Sequence, residues 1–440
     1  MGKVRFRGGI SRQDGKDRTK EKPITVLYPK TDTIYPLSQH IGLPAKPIVE
    51  VGDSVLVGQR IAEAAGVVSA HILSSVSGRV KAIEERMTAS GELCESIVIA
   101  NDGAYRTIEG FGEEREYAGF SKAELRACIK DAGIVGLGGV GFPTHVKLTP
   151  KNEDSIKYVI VNGVECEPYL TADYRMMLED SEKLVAGLKI LLRLFENAKG
   201  VIVLDKRNKS CIRDLSALIK KESRIELKKV KGTYPQGAER MLIHKVSGRK
   251  LNSSMIPGDV GCIVNNVGTV LAMYKAVAES EPLVSRVVTV SGEPFIRPQN
   301  FMVPLGTPTE ELVAAAGGFL KEPEKLIVGG PMMGRVPDGM EVPVTKLTPA
   351  LVALPKAEMA KVHESPCIRC GRCIAACPER LVPMRLVKVA AKEDKKKFMT
   401  LGGMECCDCG ACTYVCPAGK NLAQTIRQTR RSILDERRKR

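Results

Sequence analysis

Eight cysteines carry the most distinctive chemistry in this 440-residue chain. Cys367, Cys370, Cys373 and Cys377 are followed by Pro378, and Cys406, Cys409, Cys412 and Cys416 by Pro417. Both sets keep the spacing C-x2-C-x2-C-x3-C-P, so an internal duplication is visible in the motifs themselves. Four thiolates suit either iron–sulfur clusters or zinc, since soft sulfur ligands serve both. Zinc knots usually pair two C-x-x-C knuckles across a long gap. They need neither the third close cysteine nor the trailing proline, so the spacing favours iron and sulfide. Close, regular spacing in a chain without a secretory pattern argues against disulfides. Cys407, beside Cys406, reads as a bystander.

The pattern resembles that of bacterial two-cluster ferredoxins, in which the fourth cysteine of each motif crosses to the other cluster. The resemblance implies mixed ligand sets. Cys367, Cys370, Cys373 and Cys416 would hold one 4Fe-4S cluster, and Cys406, Cys409, Cys412 and Cys377 the other.

A second chemical feature is Gly136-Leu-Gly-Gly139-Val-Gly141-Phe-Pro-Thr-His-Val-Lys147. Closely spaced glycines let backbone N–H groups approach a phosphate, and a following lysine can neutralise it. The run lacks the Walker lysine–hydroxyl pair and is not the usual dinucleotide fingerprint, so alone it is equally a structural turn. Three further segments accompany it: Val161-Asn-Gly-Val-Glu165-Cys-Glu167-Pro168, Tyr234-Pro-Gln-Gly237-Ala-Glu239, and Val264-Asn265-Asn266-Val-Gly-Thr269. In order and spacing these resemble the flavin- and NADH-binding 51-kDa subunit of respiratory complex I, over roughly residues 120 to 275.

That resemblance implies that Gly136, Gly138, Gly139, Gly141 and Lys147 cradle the phosphate of FMN. Asn162, Asn265, Asn266 and Thr269 would bond ribityl or phosphate oxygens, with Tyr234 and Gly237 completing the cofactor set. Glu165 and Glu167 would line the nicotinamide side, and Phe142 would stack on NADH. Three positions depart from the family: Leu137 stands for an arginine, Val164 for an aspartate and Ala238 for a glutamate. Cys166 replaces a glycine and reads as a small buried residue. His145, inside the loop, is as well placed for packing as for phosphate. The five histidines are dispersed and form no metal pattern.

The elements that must position these groups form a multidomain α/β plus β protein. Strands punctuated by Gly and Asp turns run from about Pro23 to Asp102 and resemble the barrel-sandwich hybrid of lipoyl and biotinyl carriers. No lysine occupies Gly66 to Ala70, which argues against a swinging arm, and Lys81 reads as a surface charge. From about Ser121 apolar strands alternate with helices: Tyr158 to Val161, a stripe of Leu184, Leu188, Leu191, Leu192 and Phe195, Gly200 to Leu204, Ser210 to Ile219, and Ile225 to Val230. This predicts a parallel, Rossmann-like sheet whose ligand sits at the strands' carboxyl ends. Val287 to Pro331 suggests a β-grasp module of the soluble-ligand-binding type, with a helix from Thr309 to Ala316. The expected boundaries are 1–115 for the barrel-sandwich-hybrid-like domain, 116–280 for the FMN/NADH domain, and 281–350 for the β-grasp-like domain. The two-cluster ferredoxin-like domain, with Met384 to Lys397 helical, occupies 351–425, and a basic tail 426–440.

The net charge is +16, and the tail sets Arg427, Arg430, Arg431, Arg437, Arg438, Lys439 and Arg440 against only Asp435 and Glu436. It suits anionic lipid, an acidic partner or a merely solvated helix. With no tryptophan and only 4% aromatic residues, a nucleic-acid stacking platform is not expected. No apolar run approaches the roughly 18 residues of a spanning helix, and the N-terminus carries no signal-peptide pattern.

Domain order, with Gly8-Gly-Ile10 and Pro36-Leu-Ser-Gln-His40-Ile-Gly42, resembles the RnfC family of Rnf electron-transport complexes across nearly the whole chain. The resemblance implies the NADH-handling subunit of a membrane-bound, ion-translocating NAD:ferredoxin oxidoreductase. Such a subunit lies on the cytoplasmic side of the cell membrane, contacts the other subunits and reaches ferredoxin indirectly. Nicotinamide gives up two electrons as hydride whereas a 4Fe-4S cluster takes one, so FMN belongs between NAD(H) and the two clusters, and no side-chain nucleophile is required. Two alternatives share these features. One is the cobalamin reductase of diol-utilising microcompartments; the other is a non-catalytic electron relay whose flavin site has decayed.

Overall fold

The computed structural model describes residues 8–11, 14–139, 141–356 and 363–439. Val140 of the glycine loop, Met1 to Arg7 and Arg440 of the basic terminus lie outside the described residues.

Apolar–polar alternation over 78–101 produces two long antiparallel strands, Gly78–Met87 and Leu93–Asn101, which bury Val80, Ile97 and Ile99. Thr33–Pro36 and Ser54–Val55 flank them. A three-stranded sheet of Lys46–Pro47, Arg60–Glu63 and Ile72–Leu73 shares their core through Ile61 and Ile72. Lys81 is exposed and pairs with Asp32 at 2.6 Å.

The next sheet is parallel throughout, in the order Ile225–Val230, Lys199–Asp205, Tyr158–Gly163, Cys262–Asn266. Its strands Tyr158–Gly163 and Lys199–Asp205 carry the unbroken apolar runs Val159 to Val161 and Val201 to Leu204 because helices cover both faces, whereas the edge strand Ile225–Val230 carries Glu226, Lys228 and Lys229. Ser181–Leu194 and Val267–Ala278 pack on one face through Leu184, Leu188, Leu191 and Val270. Glu239–Ser247 packs on the other through Leu242 and Ile243. Strand order reverses beside Tyr158–Gly163, so consecutive connections leave on opposite sides and open a crevice at the carboxyl ends. Asn162 and Asn266 stand opposite each other at that crevice.

A five-stranded mixed sheet follows, with helix Thr309–Ala315 burying Leu312 against Val288 and Val290. Its edge strand comes from the other end of the chain. Thr25–Val26, which the sequence places in the first domain, pairs in parallel with Gln299–Pro304. A two-residue Thr-Val strand has no pattern that names its sheet.

This edge strand ends a strap that begins at Gly8. Gly9 N–H donates to the Ala376 carbonyl at 2.7 Å, and Ile10 exchanges two backbone bonds with Tyr234. Lys16 donates to the Glu165 carbonyl at 2.7 Å, and the Thr19 and Thr171 hydroxyls meet at 2.7 Å. The strap therefore ties the parallel-sheet domain to the cysteine-rich domain before joining the mixed sheet.

In the cysteine-rich domain the segment expected to be helical from Met384 to Lys397 is two helices, Pro383–Ala390 and Lys395–Thr400, separated near Glu393 at φ 54. The basic terminus belongs to one helix, Leu422–Lys439, whose Ile426 and Ile433 bury against Leu386 and Phe398. Arg427 and Arg430 turn inward to Asp408. Part of the terminal charge is thus internal.

Candidate active site and metal centres

A cavity of about 1330 Å³ occupies the crevice. The glycine loop forms one wall: Gly136 N–H donates to the Phe142 carbonyl at 2.9 Å, and Gly141 N–H to the Gly136 carbonyl at 3.1 Å. A Cβ at Gly139, where φ is 114°, would meet no atom within 4 Å, so bare backbone faces the cavity there. A Cβ at Gly138 would stand 3.2 Å from Asn266 Cβ.

Gly136, Gly138, Gly139, Phe142, Lys147, Asn162, Glu165, Glu167, Tyr234, Gly237 and Asn266 all line this cavity. Gly141, Asn265 and Thr269 do not. Gly141 is pressed against Leu347, where a Cβ would lie 2.7 Å away, so it shapes the turn. Thr269 is fully buried, and its hydroxyl accepts from Leu137 N–H at 2.9 Å. It holds the loop in place and leaves nothing for a ligand. Both amide atoms of buried Asn265 lack a hydrogen-bond partner among the described residues.

Several residues expected to bind ligand are engaged with the protein. Asn162 donates to the Gly237 carbonyl at 2.9 Å, bracing two cavity segments. Asn266 caps Val267–Ala278 by accepting from Gly268 N–H and donates to Asp173 at 2.6 Å. The Glu165 carboxylate accepts from Asp173 N–H at 2.8 Å and pairs with Lys16 at 3.5 Å. It caps the helix Ala172–Glu179 as well as lining the cavity. Glu167 accepts from Met332 N–H at 3.3 Å.

Lys147 donates to the Val264 carbonyl at 2.9 Å; burial lowers its pKa, opposed by nearby Glu239. Asp173 and Arg286 are among the charged residues that motif reasoning missed and that also line the cavity. Burial, followed by the Glu165 charge, raises Asp173 from 3.8 to about 7. Burial lowers Arg286 to about 10, with Asp173 opposing that shift. The available signal was a lone arginine in the apolar strand Ser285–Ser291. Val164, standing for the family aspartate, packs into the core with Val230 and Leu242. Cys166 is half-buried, lining the cavity beside Tyr234, and desolvation pushes its thiol up to about 12, which keeps it protonated.

The Cys406–Cys412 loop lies against the far wall. Cys407 and Cys409 line the cavity, and the Tyr234 hydroxyl donates to the Cys409 carbonyl at 2.6 Å. Arg240 pairs with Glu405 at 2.8 Å. Cys377, Cys406, Cys409 and Cys412 surround one small pocket. Cys373 and Cys416 pack together beside Cys412 and Leu422, while Cys367 and Cys370 are exposed. Among the described residues no three potential ligands converge as tightly as one metal ion needs. A 4Fe-4S cluster presents an iron at each of four corners, and thiols spread around a pocket fit it better than they fit zinc. The open cradle at Gly139 and half-buried Lys147 on the same cavity likewise fit a phosphorylated, polar cofactor.

Comparison with known proteins agrees with this division. Family models match as follows: the RnfC barrel sandwich hybrid domain over residues 4–104, the Nuo51 FMN-binding domain over 129–275, the SLBB domain over 287–336 and the 4Fe-4S dicluster domain over 366–420. The chain is 38% identical over 443 residues to the C-subunit of the Na(+)-translocating ferredoxin:NAD(+) oxidoreductase complex of Acetobacterium woodii, covering 99% of this chain and 98% of that protein. It is 40% identical over 388 residues to the C-subunit of the proton-translocating ferredoxin:NAD(+) oxidoreductase complex of Clostridium ljungdahlii, covering 88% and 85%. Among solved structures, an NAD+-reducing NiFe hydrogenase in its H2-reduced state aligns with a TM-score of 0.50 at 18% identity. The alignment covers 71% of this chain and 61% of that one and shows a shared fold alone.

Proposed function

The chain belongs to the RnfC family, the C-subunits of ion-translocating ferredoxin:NAD(+) oxidoreductase complexes, and from that premise we propose that it is where NAD(H) meets FMN inside the complex. Bound FMN supplies the conversion between two-electron hydride transfer and single electrons, which the 4Fe-4S clusters carry. The observation that supports this reading is the shared cavity, with the glycine loop on one wall and Cys407 and Cys409 on the other.

The residues divide the work. Gly138 and Gly139 offer backbone N–H groups to the phosphate, the Gly136 N–H closes the loop on the Phe142 carbonyl, and Lys147 offers charge. Thr269, Asn162 and Asn266 act at one remove by fixing the loops. Phe142 and Glu167 face the open cavity where a nicotinamide would enter. Tyr234 joins the cavity wall to the Cys406–Cys412 loop, which makes that loop the inner one and the Cys367–Cys373 loop the outer. No side chain is needed as a nucleophile, and positioning is the protein's part.

Among the described residues no helix is long and apolar enough to cross a membrane. The chain accordingly joins the membrane-bound complex peripherally through its partner subunits, on the cytoplasmic side where NADH is available.

The test is anaerobic purification of the chain, with iron, acid-labile sulfide and released flavin assayed together. About eight irons and about one FMN per chain, bleached by NADH, are expected. Iron without flavin and no response to NADH would reduce the chain to a relay.

A further inference from the structure

The two cysteine loops share a backbone but not an environment. Arg369 and Asp408 both take positive φ, 58° and 54°, and Gly371 and Gly410 follow at 76° and 73°. Ile368, Arg369, Cys370 and Arg372 therefore occupy the places of Cys407, Asp408, Cys409 and Ala411. The inner loop is covered by the rest of the chain: Cys407 lines the cavity, and the Cys409 carbonyl receives the Tyr234 hydroxyl. A Cβ at Gly410 would lie 3.0 Å from the Met332 carbonyl. At the outer loop the equivalent places are bare. A Cβ at Gly371 would meet nothing within 4 Å, Ile368 is 68% exposed, and Cys367 and Cys370 are exposed.

The charge around this bare loop is predominantly positive. From Pro366 to Lys397 there are nine lysines and arginines against three acids. Of those acids, Glu379 turns inward toward Arg240 at 3.8 Å and Asp394 caps the helix Lys395–Thr400. Arg369, Arg372, Arg380, Arg385 and Lys388 are exposed, and none is ion-paired among the described residues. Exposed Ile374, Val382 and Tyr414 add apolar surface to the same domain. An apolar centre with a cationic rim suits a protein whose own face is acidic.

Resting on the function proposed above, we propose that the Cys367–Cys373 loop docks an acidic-faced protein carrying a one-electron centre. That partner would seat on Ile368 and the Cys370 carbonyl as the flavin domain seats on Cys407 and Cys409. The paired loops thus give the ferredoxin-like domain one internal and one external partner built to the same plan.

The double variant Arg369→Asp/Arg372→Ala tests this, because the inner loop itself carries Asp408 and Ala411 at these places and the backbone tolerates them. The probe is membranes holding the remaining subunits, prepared from cells lacking this chain. Wild-type chain is expected to rebind with an affinity that falls as salt rises, and the double variant to rebind more than tenfold more weakly with a flatter salt dependence. Arg380→Glu, off the ligand loop, is expected to weaken rebinding in the same direction. Iron content and NADH bleaching of each variant are expected to match the wild type. Rebinding of both variants within twofold of wild type would overturn the proposal. So would equal, variant-sensitive binding of wild-type chain to protein-free phosphatidylglycerol vesicles, which would assign the face to lipid. Failure of NADH to bleach the wild-type chain would instead sink the functional reading, independently of rebinding.

Discussion

Tyr234→Phe removes one hydroxyl at the junction between the flavin cavity and the inner cysteine loop. The bond it deletes is 2.6 Å long, and Tyr234 is only 4% exposed. The ring still fills its place among Ile10, Ala376, Cys409 and Ala411, so the cost is that of stranding the buried Cys409 carbonyl. An unsatisfied buried acceptor costs about 1–3 kcal/mol, which corresponds to an opening equilibrium about 5- to 150-fold more favourable. Burial, reinforced by Glu167 and nearby thiols, raises the phenol's pKa, so the donor stays protonated and the deficit should not vary across neutral pH. The assay is iron release to a ferrous chelator, alongside amide exchange of the Cys406–Cys412 loop. Both should accelerate in parallel by that factor. Tyr28→Phe, on an exposed tyrosine packed edge-on to Tyr105, serves as the control and should change neither. Wild-type iron retention and protection in Tyr234→Phe would show that the hydroxyl does not hold the loop.

Three further outcomes are expected. Cys377→Ser should remove about half of the iron by emptying the inner set, and Cys416→Ser the other half; undiminished iron in Cys377→Ser would contradict the crossing of ligands. Lys147→Ala should lower the FMN recovered per chain while iron stays constant, as measured by flavin fluorescence after denaturation. Asp173 has a folded pKa of about 7 against 3.8 in its absence, so the folded state holds an extra proton between those values. The resulting stability is complete below the lower value and is lost as pH rises through about 7. Asp173→Asn, which keeps a carbonyl for Asn266, should flatten the decline of melting temperature over that window, and an unchanged pH profile would place the titration elsewhere.

Motifs with fixed spacing were legible because each position answers to local chemistry. The cysteines must reach a cluster, and Gly138 and Gly139 must leave room beside Asn266 and the cavity. The parallel sheet was legible for a similar reason, since Tyr158 to Val161 and Gly200 to Leu204 are apolar without interruption. What depends on distant partners was not. Nothing in Thr25-Val26 says that it will join Gln299–Pro304, and nothing local distinguishes Gly141, packed on Leu347, from Gly139, facing the cavity. Thr269 and Asn162 carry residue types suited to a ligand, yet their hydrogen bonds go to Leu137 and Gly237. Asp173 and Arg286 escaped notice because one sits on a helix and the other on a strand of a different domain. Only the packed structure puts both at the same cavity.

The strap from Gly8 to Val26 is the first described segment to be synthesised, and its partners come later, from Glu165 and Thr171 to Ala376. Gly9 must await Ala376, which is made 367 residues later, and Ile10 binds the same Tyr234 that holds Cys409. During translation the carrier-like domain and parallel sheet can form while the strap remains unseated, because contacts of such sequence separation close late. Gly8 packs directly on the Cys377 carbonyl, so the strap closes over a cysteine of the first motif. A side chain added at Gly8, where φ is 85° and a Cβ would lie 2.6 Å from the Cys377 carbonyl oxygen, would therefore be felt first in the cysteine-rich domain.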